Sequence, residues 1–125
     1  MNKSIIKIII AEDEILSAMS LKMELEETGK YSVSIYSSGE EVIAYFENNQ
    51  IDLIIVDLNL SGKLDGIDMI NKIREIENIP AVLISGAGYE ETKKKIGNIN
   101  NCVFLHKPVN PSVILKTVND LVKIQ

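Results

Sequence analysis

Five side chains in this sequence carry chemistry that depends on where they fall: Glu12, Asp13, Asp57, Ser85 and Lys107. Each stands at the carboxyl end of a short aliphatic run. Glu12 and Asp13 follow "IIKIIIA" (5–11), Asp57 closes "LIIVD" (53–57), Ser85 closes "AVLIS" (81–85), and Lys107 follows "CVFLH" (102–106). Taken singly, each has an ordinary explanation. Glu12 and Asp13 suit the positive end of a following helix, Asp57 a strand-terminal turn, Ser85 a cap and Lys107 a solvated charge. Brought together they imply more. Crowded carboxylates raise one another's pKa unless a cation compensates, so three acids and one lysine in a single pocket imply a bound metal. Hard oxygen donors without a nearby His or Cys point to Mg²⁺, which accepts one or two protein carboxylates, several waters and a phosphate oxygen.

The elements that must position these groups follow from two kinds of apolar pattern in alternation. The four runs above are short and β-branched, with the continuous hydrophobicity of strands covered on both faces, whereas "YSVSIY" (31–36) alternates as an edge strand with one wet face does. Between them the apolar residues recur at helical spacing: Ala18, Leu21 and Leu25; Val42, Ile43 and Phe46; Ile67, Ile70 and Ile73. Ser38 with Glu41 makes a capping box, Asp65 can cap the third helix, Gly29 closes the first, and Asn110 with Pro111 opens the last. A fourth helix over Glu90 to Ile96 has little to anchor it, since Lys93, Lys94 and Lys95 crowd its polar face. Five β-α units in succession predict an α/β fold: a five-stranded parallel sheet with helices on both faces, doubly wound. In such sheets the crevice opens beyond the carboxyl ends of the strands, near the point where strand order reverses. All five groups would meet there.

Composition limits what such a site can serve. The 125 residues, 46% of them hydrophobic, suit one domain spanning 1–125 with a filled core. A net charge of −5 gives no electrostatic footprint for direct contact with nucleic acid or an anionic membrane. No apolar stretch approaches the roughly 20 residues needed to span a bilayer, and "MNKSIIKIII" runs into a strand without a cleavage site, so a cytoplasmic location is expected. Cys102, the single cysteine, reads as a buried free thiol.

Five motifs in order along the chain, "AEDE", "VDLNL", "DG" at Asp65 and Gly66, "ISGA" and "FLHKP", resemble the receiver domains of two-component response regulators over essentially the whole chain. The resemblance implies a flavodoxin-like (βα)5 fold and a phosphoacceptor rather than an enzyme. Asp57 would take a phosphoryl group from a sensor histidine kinase or a small donor. Asp13 and Asp57 would ligate Mg²⁺ directly, with the backbone carbonyl of Asn59 as a third ligand and Glu12 acting through water. Lys107 would supply the remaining positive charge, because phosphoryl transfer depends on positioning and charge neutralisation. Ser85 would bind a phosphoryl oxygen, and Phe104 would be the aromatic that changes rotamer with it. Pro108 matches the proline that follows the lysine, where a cis peptide is accessible.

The sequence also departs from the family pattern. Ser61 stands where proline is frequent, and "SGKLDG" is one residue longer before its Asp-Gly pair. Glu12 replaces the commoner aspartate, Gly86 the commoner alanine, and His106, the only histidine, an apolar residue. Two rival functions share parts of the constellation. A small phosphatase of the haloacid dehalogenase type would want an aspartate where Asn59 stands, and a degenerate receiver that acts only as a binding module would not need Asp13, Asp57, Ser85 and Lys107 intact. Output is expected through the face made by helix four, strand five and helix five, to a downstream partner or a second copy. Met19 and its neighbours on the first helix are left for docking the kinase.

Overall fold

The computed structural model describes residues 5–60, 62, 64–96 and 100–124. Ten elements alternate: β1 (Ile6–Ala11), α1 (Ile15–Glu26), β2 (Tyr31–Tyr36), α2 (Gly39–Phe46), β3 (Leu53–Asp57), α3 (Gly66–Arg74), β4 (Ala81–Ser85), α4 (Tyr89–Ile96), β5 (Cys102–His106) and α5 (Pro111–Ile124). All strand pairs are parallel and the order is β2-β1-β3-β4-β5, so the direction of winding reverses between β1 and β3. Glu12 follows one of these two strands and Asp57 ends the other.

Successive strand residues point to opposite faces, and each face has its own core. Ile8, Ile10, Ile55 and Ile84 pack with Leu21 and Leu25 of α1 and Val118 of α5. Ile9, Ile54 and Val56 pack with Val42 of α2 and with Met69, Ile70 and Ile73 of α3. The contacts of Thr92 with Ser85 and of Tyr89 with Phe104 put α4 on this second side. Among the described side chains of α4 only Thr92 is buried.

The helix boundaries follow local chemistry. Ser38 Oγ accepts from the Glu41 backbone N–H at 3.3 Å, Asp65 Oδ1 from that of Asp68 at 2.9 Å, and Asn110 Oδ1 from that of Ser112 at 2.9 Å. Gly29 takes φ +76 at the end of α1, a conformation that side chains with a Cβ resist. α1 itself begins at Ile15 with no side-chain cap at Glu14. Glu12 and Asp13 therefore lie ahead of the helix rather than in its first turn.

Two expectations change. β5 lies at a sheet edge and its residues are half-buried or exposed, although its continuous apolar run predicts cover on both faces. The reason is α4, among whose described side chains only Thr92 is buried against that part of the sheet. Cys102 is accordingly half-buried, and burial raises its thiol pKa, with Arg74 pulling the other way. Ser61 lies outside the described residues.

Candidate functional site

Asp57 is the last residue of β3, and its neighbours explain why an acid can stand there at 5% exposure. The chain turns at once: the Leu60 N–H returns to Asp57 O at 3.2 Å, and the Asn59 N–H donates to Asp57 Oδ1 at 2.9 Å. The turn supplies one carboxylate oxygen with a donor, and Lys107 Nζ supplies the other, 2.5 Å from Oδ2. Lys107 is held by its own backbone, whose N–H donates to Ser85 O at 2.8 Å; its peptide to Pro108 is cis. Each carboxylate oxygen of Asp57 thus has a donor, and one of the two donors is a cation.

Gly66 fixes the other side of Asp57. A Cβ there would come within 2.9 Å of Val56 Cγ2 and 3.1 Å of Asp57 O, so the start of α3 presses directly on the strand end that carries the acid. The "DG" pair thus combines a cap, Asp65, with the one residue small enough to let α3 approach.

Glu12 follows β1 and its backbone N–H is tied to Tyr36 O at 3.0 Å. Its carboxyl pKa is raised from 4.5 to about 7, chiefly by burial, then by the charge of Asp57 and a hydrogen bond between the two carboxyls, against the lowering effect of the Glu14 N–H and of Lys107. Lys107 shows the complement. Burial alone would lower its pKa, but the Asp57 hydrogen bond and the charges of Asp57, Glu12 and Glu14 hold it above its ordinary value. One lysine therefore leaves the acids undercompensated. A divalent cation would complete the neutralisation, and the oxygen-only donor set suits Mg²⁺.

The structure draws Glu12, Asp57 and Lys107 into contact around one crevice of about 760 Å³, rimmed by Glu14 and Pro108 and continuing between α1 and α5. Asp13 is exposed beside them and Asn59 is exposed at the turn. Among the described residues no three His, Cys, Asp or Glu side chains stand as a ready-made metal cluster.

Ser85 ends β4, one residue beyond Ile84, the neighbour of Asp57 in β4. It is 2% exposed and its Oγ accepts from the Ala87 N–H at 3.0 Å. Phe104 is half-buried on β5, with the Tyr89 ring set edge-on to it at a centroid distance of 5.5 Å. His106 is exposed and pairs with Ser85 in register. Sequence reasoning missed Tyr89 and Thr92, one helical turn apart on α4. The only signal was that they interrupt an otherwise charged stretch.

A family model for the response regulator receiver domain matches residues 8–119. The chain is 32% identical over 124 residues to the alkaline phosphatase synthesis transcriptional regulatory protein PhoP of Bacillus subtilis, covering 98% of this chain and 50% of that protein. It is 26% identical over 116 residues to response regulator RR06 of Streptococcus pneumoniae, covering 93% of this chain and 52% of that protein. It thus spans about half the length of these two curated relatives. Among solved structures, a two-component response regulator from Clostridium difficile superposes with a TM-score of 0.84 at 27% identity, covering 94% of this chain and 96% of that one. A response regulator receiver domain protein from Methanospirillum hungatei JF-1 gives 0.85 at 25%, covering 96% of each.

Proposed function

Because the chain belongs to the family of response regulator receiver domains, we propose that it accepts a phosphoryl group on Asp57 from a sensor histidine kinase or a small donor and passes the change to a partner. Residues 1–125 form one receiver domain, a signalling module rather than an enzyme with turnover. The observation that carries this reading is the state of Asp57: a buried strand-end carboxylate with Asn59 N–H on one oxygen and Lys107 on the other.

In the transfer, an Asp57 carboxylate oxygen attacks phosphorus as the bond from phosphorus to the donor breaks, and the leaving imidazole or acetate carries away that bond's electron pair. Asn59 N–H orients the nucleophile, and Lys107 moves from the carboxylate to share the charge arriving on the phosphoryl oxygens. Ser85 donates to one of those oxygens. Asp13, Asp57 and the Asn59 carbonyl would hold Mg²⁺ directly and Glu12 would hold it through a water, and when bound the ion neutralises phosphoryl oxygens and screens the acids from one another. α4, β5 and α5 form the output face, where Phe104 changes rotamer as Ser85 moves. The apolar side chains exposed on α1, Ile15, Leu16, Met19 and Met23, suit docking of the kinase. The acidic charge argues against direct contact with nucleic acid, and among the described residues no helix is long and apolar enough to cross a membrane.

Incubation with Mg²⁺ and acetyl phosphate should add one acid-stable, base-labile phosphoryl group per chain, and Asp57→Asn should abolish it. Labelling of Asp57→Asn at the wild-type rate would refute the assignment, and steady turnover of a phosphomonoester would favour a phosphatase instead.

A further inference from the structure

If Ser85 binds the phosphoryl group, its hydroxyl needs a partner before that group arrives. Ser85 is 2% exposed, so its proton and lone pairs must be satisfied within the protein. The Ala87 N–H takes one lone pair at 3.0 Å. Thr92 Oγ1, itself on a residue 3% exposed, lies 3.5 Å away, a long contact in which either hydroxyl can supply the proton, Thr92 included. Thr92 has a better acceptor for its own proton, the carbonyl oxygen of Gly88 at 3.0 Å. A hydroxyl has one proton, and the shorter contact to a carbonyl takes it. A Thr92 lone pair then faces Ser85, and the proton between the two hydroxyls is the one Ser85 carries.

The geometry points to Thr92 as a positioning residue that holds the Ser85 proton in the resting protein and competes for it with a phosphoryl group on Asp57. This rests on the reading of Ser85 given above. When a phosphoryl oxygen takes the Ser85 proton, Thr92 keeps its bond to Gly88 and loses only its role as acceptor. The cost of leaving the resting arrangement is therefore set on α4. The same helix holds Phe104 through Tyr89, three residues before Thr92 and on the same face. Both residues proposed to move are thus held by one helix, whose remaining described side chains, Glu90, Glu91 and Lys93 to Lys95, are exposed.

Thr92→Val keeps the side-chain shape and removes the lone pair. With Mg²⁺ and beryllofluoride, a phosphoryl mimic followed by backbone amide resonances, it should bind about three-fold tighter than wild type, the worth of one weak hydrogen bond lost from the resting state alone. Thr92→Ala should shift in the same direction and Thr92→Ser should return to wild type, whereas damage to the fold would weaken binding in all three. In a Ser85→Ala background Thr92→Val should have no effect. A wild-type protein that neither binds beryllofluoride nor takes up a phosphoryl group overturns the reading of the site and this role with it. If wild type binds but Thr92→Val is no tighter, or is tighter even without Ser85, the role of Thr92 alone is overturned.

Discussion

Helices α3 and α4 hold equivalent places, each following a strand that ends in a site residue, yet they are fastened in opposite ways. α3 is capped by Asp65, buries Met69, Ile70 and Ile73 at 1% exposure or less, and begins at Gly66 pressed against the Asp57 backbone. α4 buries Thr92 among its described side chains and is reached through Gly86 and Gly88, where an added Cβ would meet nothing closer than 4.0 Å. Each fully buried aliphatic side chain adds about 1.5–3 kcal/mol of burial energy, so α3 is fixed by several such terms that the described side chains of α4 do not supply. On the function proposed above, the strand end that would receive a phosphorus atom in line is the firmly held one, and the strand end that would report it lies under the helix with few described anchors.

The strongest test of the rigid side is Gly66→Ala. The new methyl group would overlap Val56 and crowd the Asp57 carbonyl, both backed by the packed core, so neither can yield cheaply. A loss of about 2 kcal/mol in unfolding free energy is expected, together with slower labelling of Asp57 by acetyl phosphate. Denaturant titration measures the first and phosphoryl incorporation the second. Unchanged labelling in a destabilised variant would mean that α3 supports the fold without positioning the acceptor.

The contrast between the two helices was partly legible in the sequence. Apolar periodicity located Ala18, Leu21 and Leu25 on the buried face of α1, and Ile70 and Ile73 on that of α3. The weak apolar content after Gly88 marked α4 as poorly anchored, and the motif spacing put Glu12, Asp57, Ser85 and Lys107 at neighbouring strand ends. Which acid meets Asp57 was not legible. Glu12 and Asp13 are adjacent, and only the path of the chain after β1 turns Glu12 inward and leaves Asp13 exposed. Thr92 and Tyr89 escaped for a similar reason. On a helix so short and charged, no periodicity distinguishes the face turned toward Ser85 and Phe104 from the face in water.

The rigid side also carries an electrostatic cost, which a pH titration can expose. The folded protein holds the Glu12 proton up to about 7, against 4.5 for the free side chain. Between these values the folded state binds more protons than the unfolded chain, so stability is full below 4.5, falls as pH rises through that window, and is flat above it. Glu12 is only partly buried, so after solvent screening the fall should be about 1 kcal/mol. In Glu12→Gln the decline should vanish. With saturating Mg²⁺ it should shrink, because a cation favours the ionised form. A decline that persists in Glu12→Gln would assign the proton to another group.

The smallest expected effect approaches the comparison from the mobile side, by giving α4 the cap that α3 already has. The Gly88 carbonyl accepts from the Thr92 N–H at 3.1 Å, which makes Gly88 the residue flanking the helix start, and it has no side chain to offer the next free amide. Gly88 is outside the left-handed region and has open space around its Cβ position, so Gly88→Asp introduces neither strain nor overlap. The new carboxylate would cap the first turn, as Asp65 caps α3, and would favour the positive helix end. A gain of about 0.5 kcal/mol is expected in the opening free energy of α4 amides, read by hydrogen exchange. If the looseness of α4 is what lets Ser85 report the acceptor, the same variant should show smaller exchange changes across residues 86–96 and 102–110 when beryllofluoride is added. Slower exchange in α4 with an undiminished response to beryllofluoride would separate the two properties, and would place the output change in β5 and α5 rather than in the helix above Ser85.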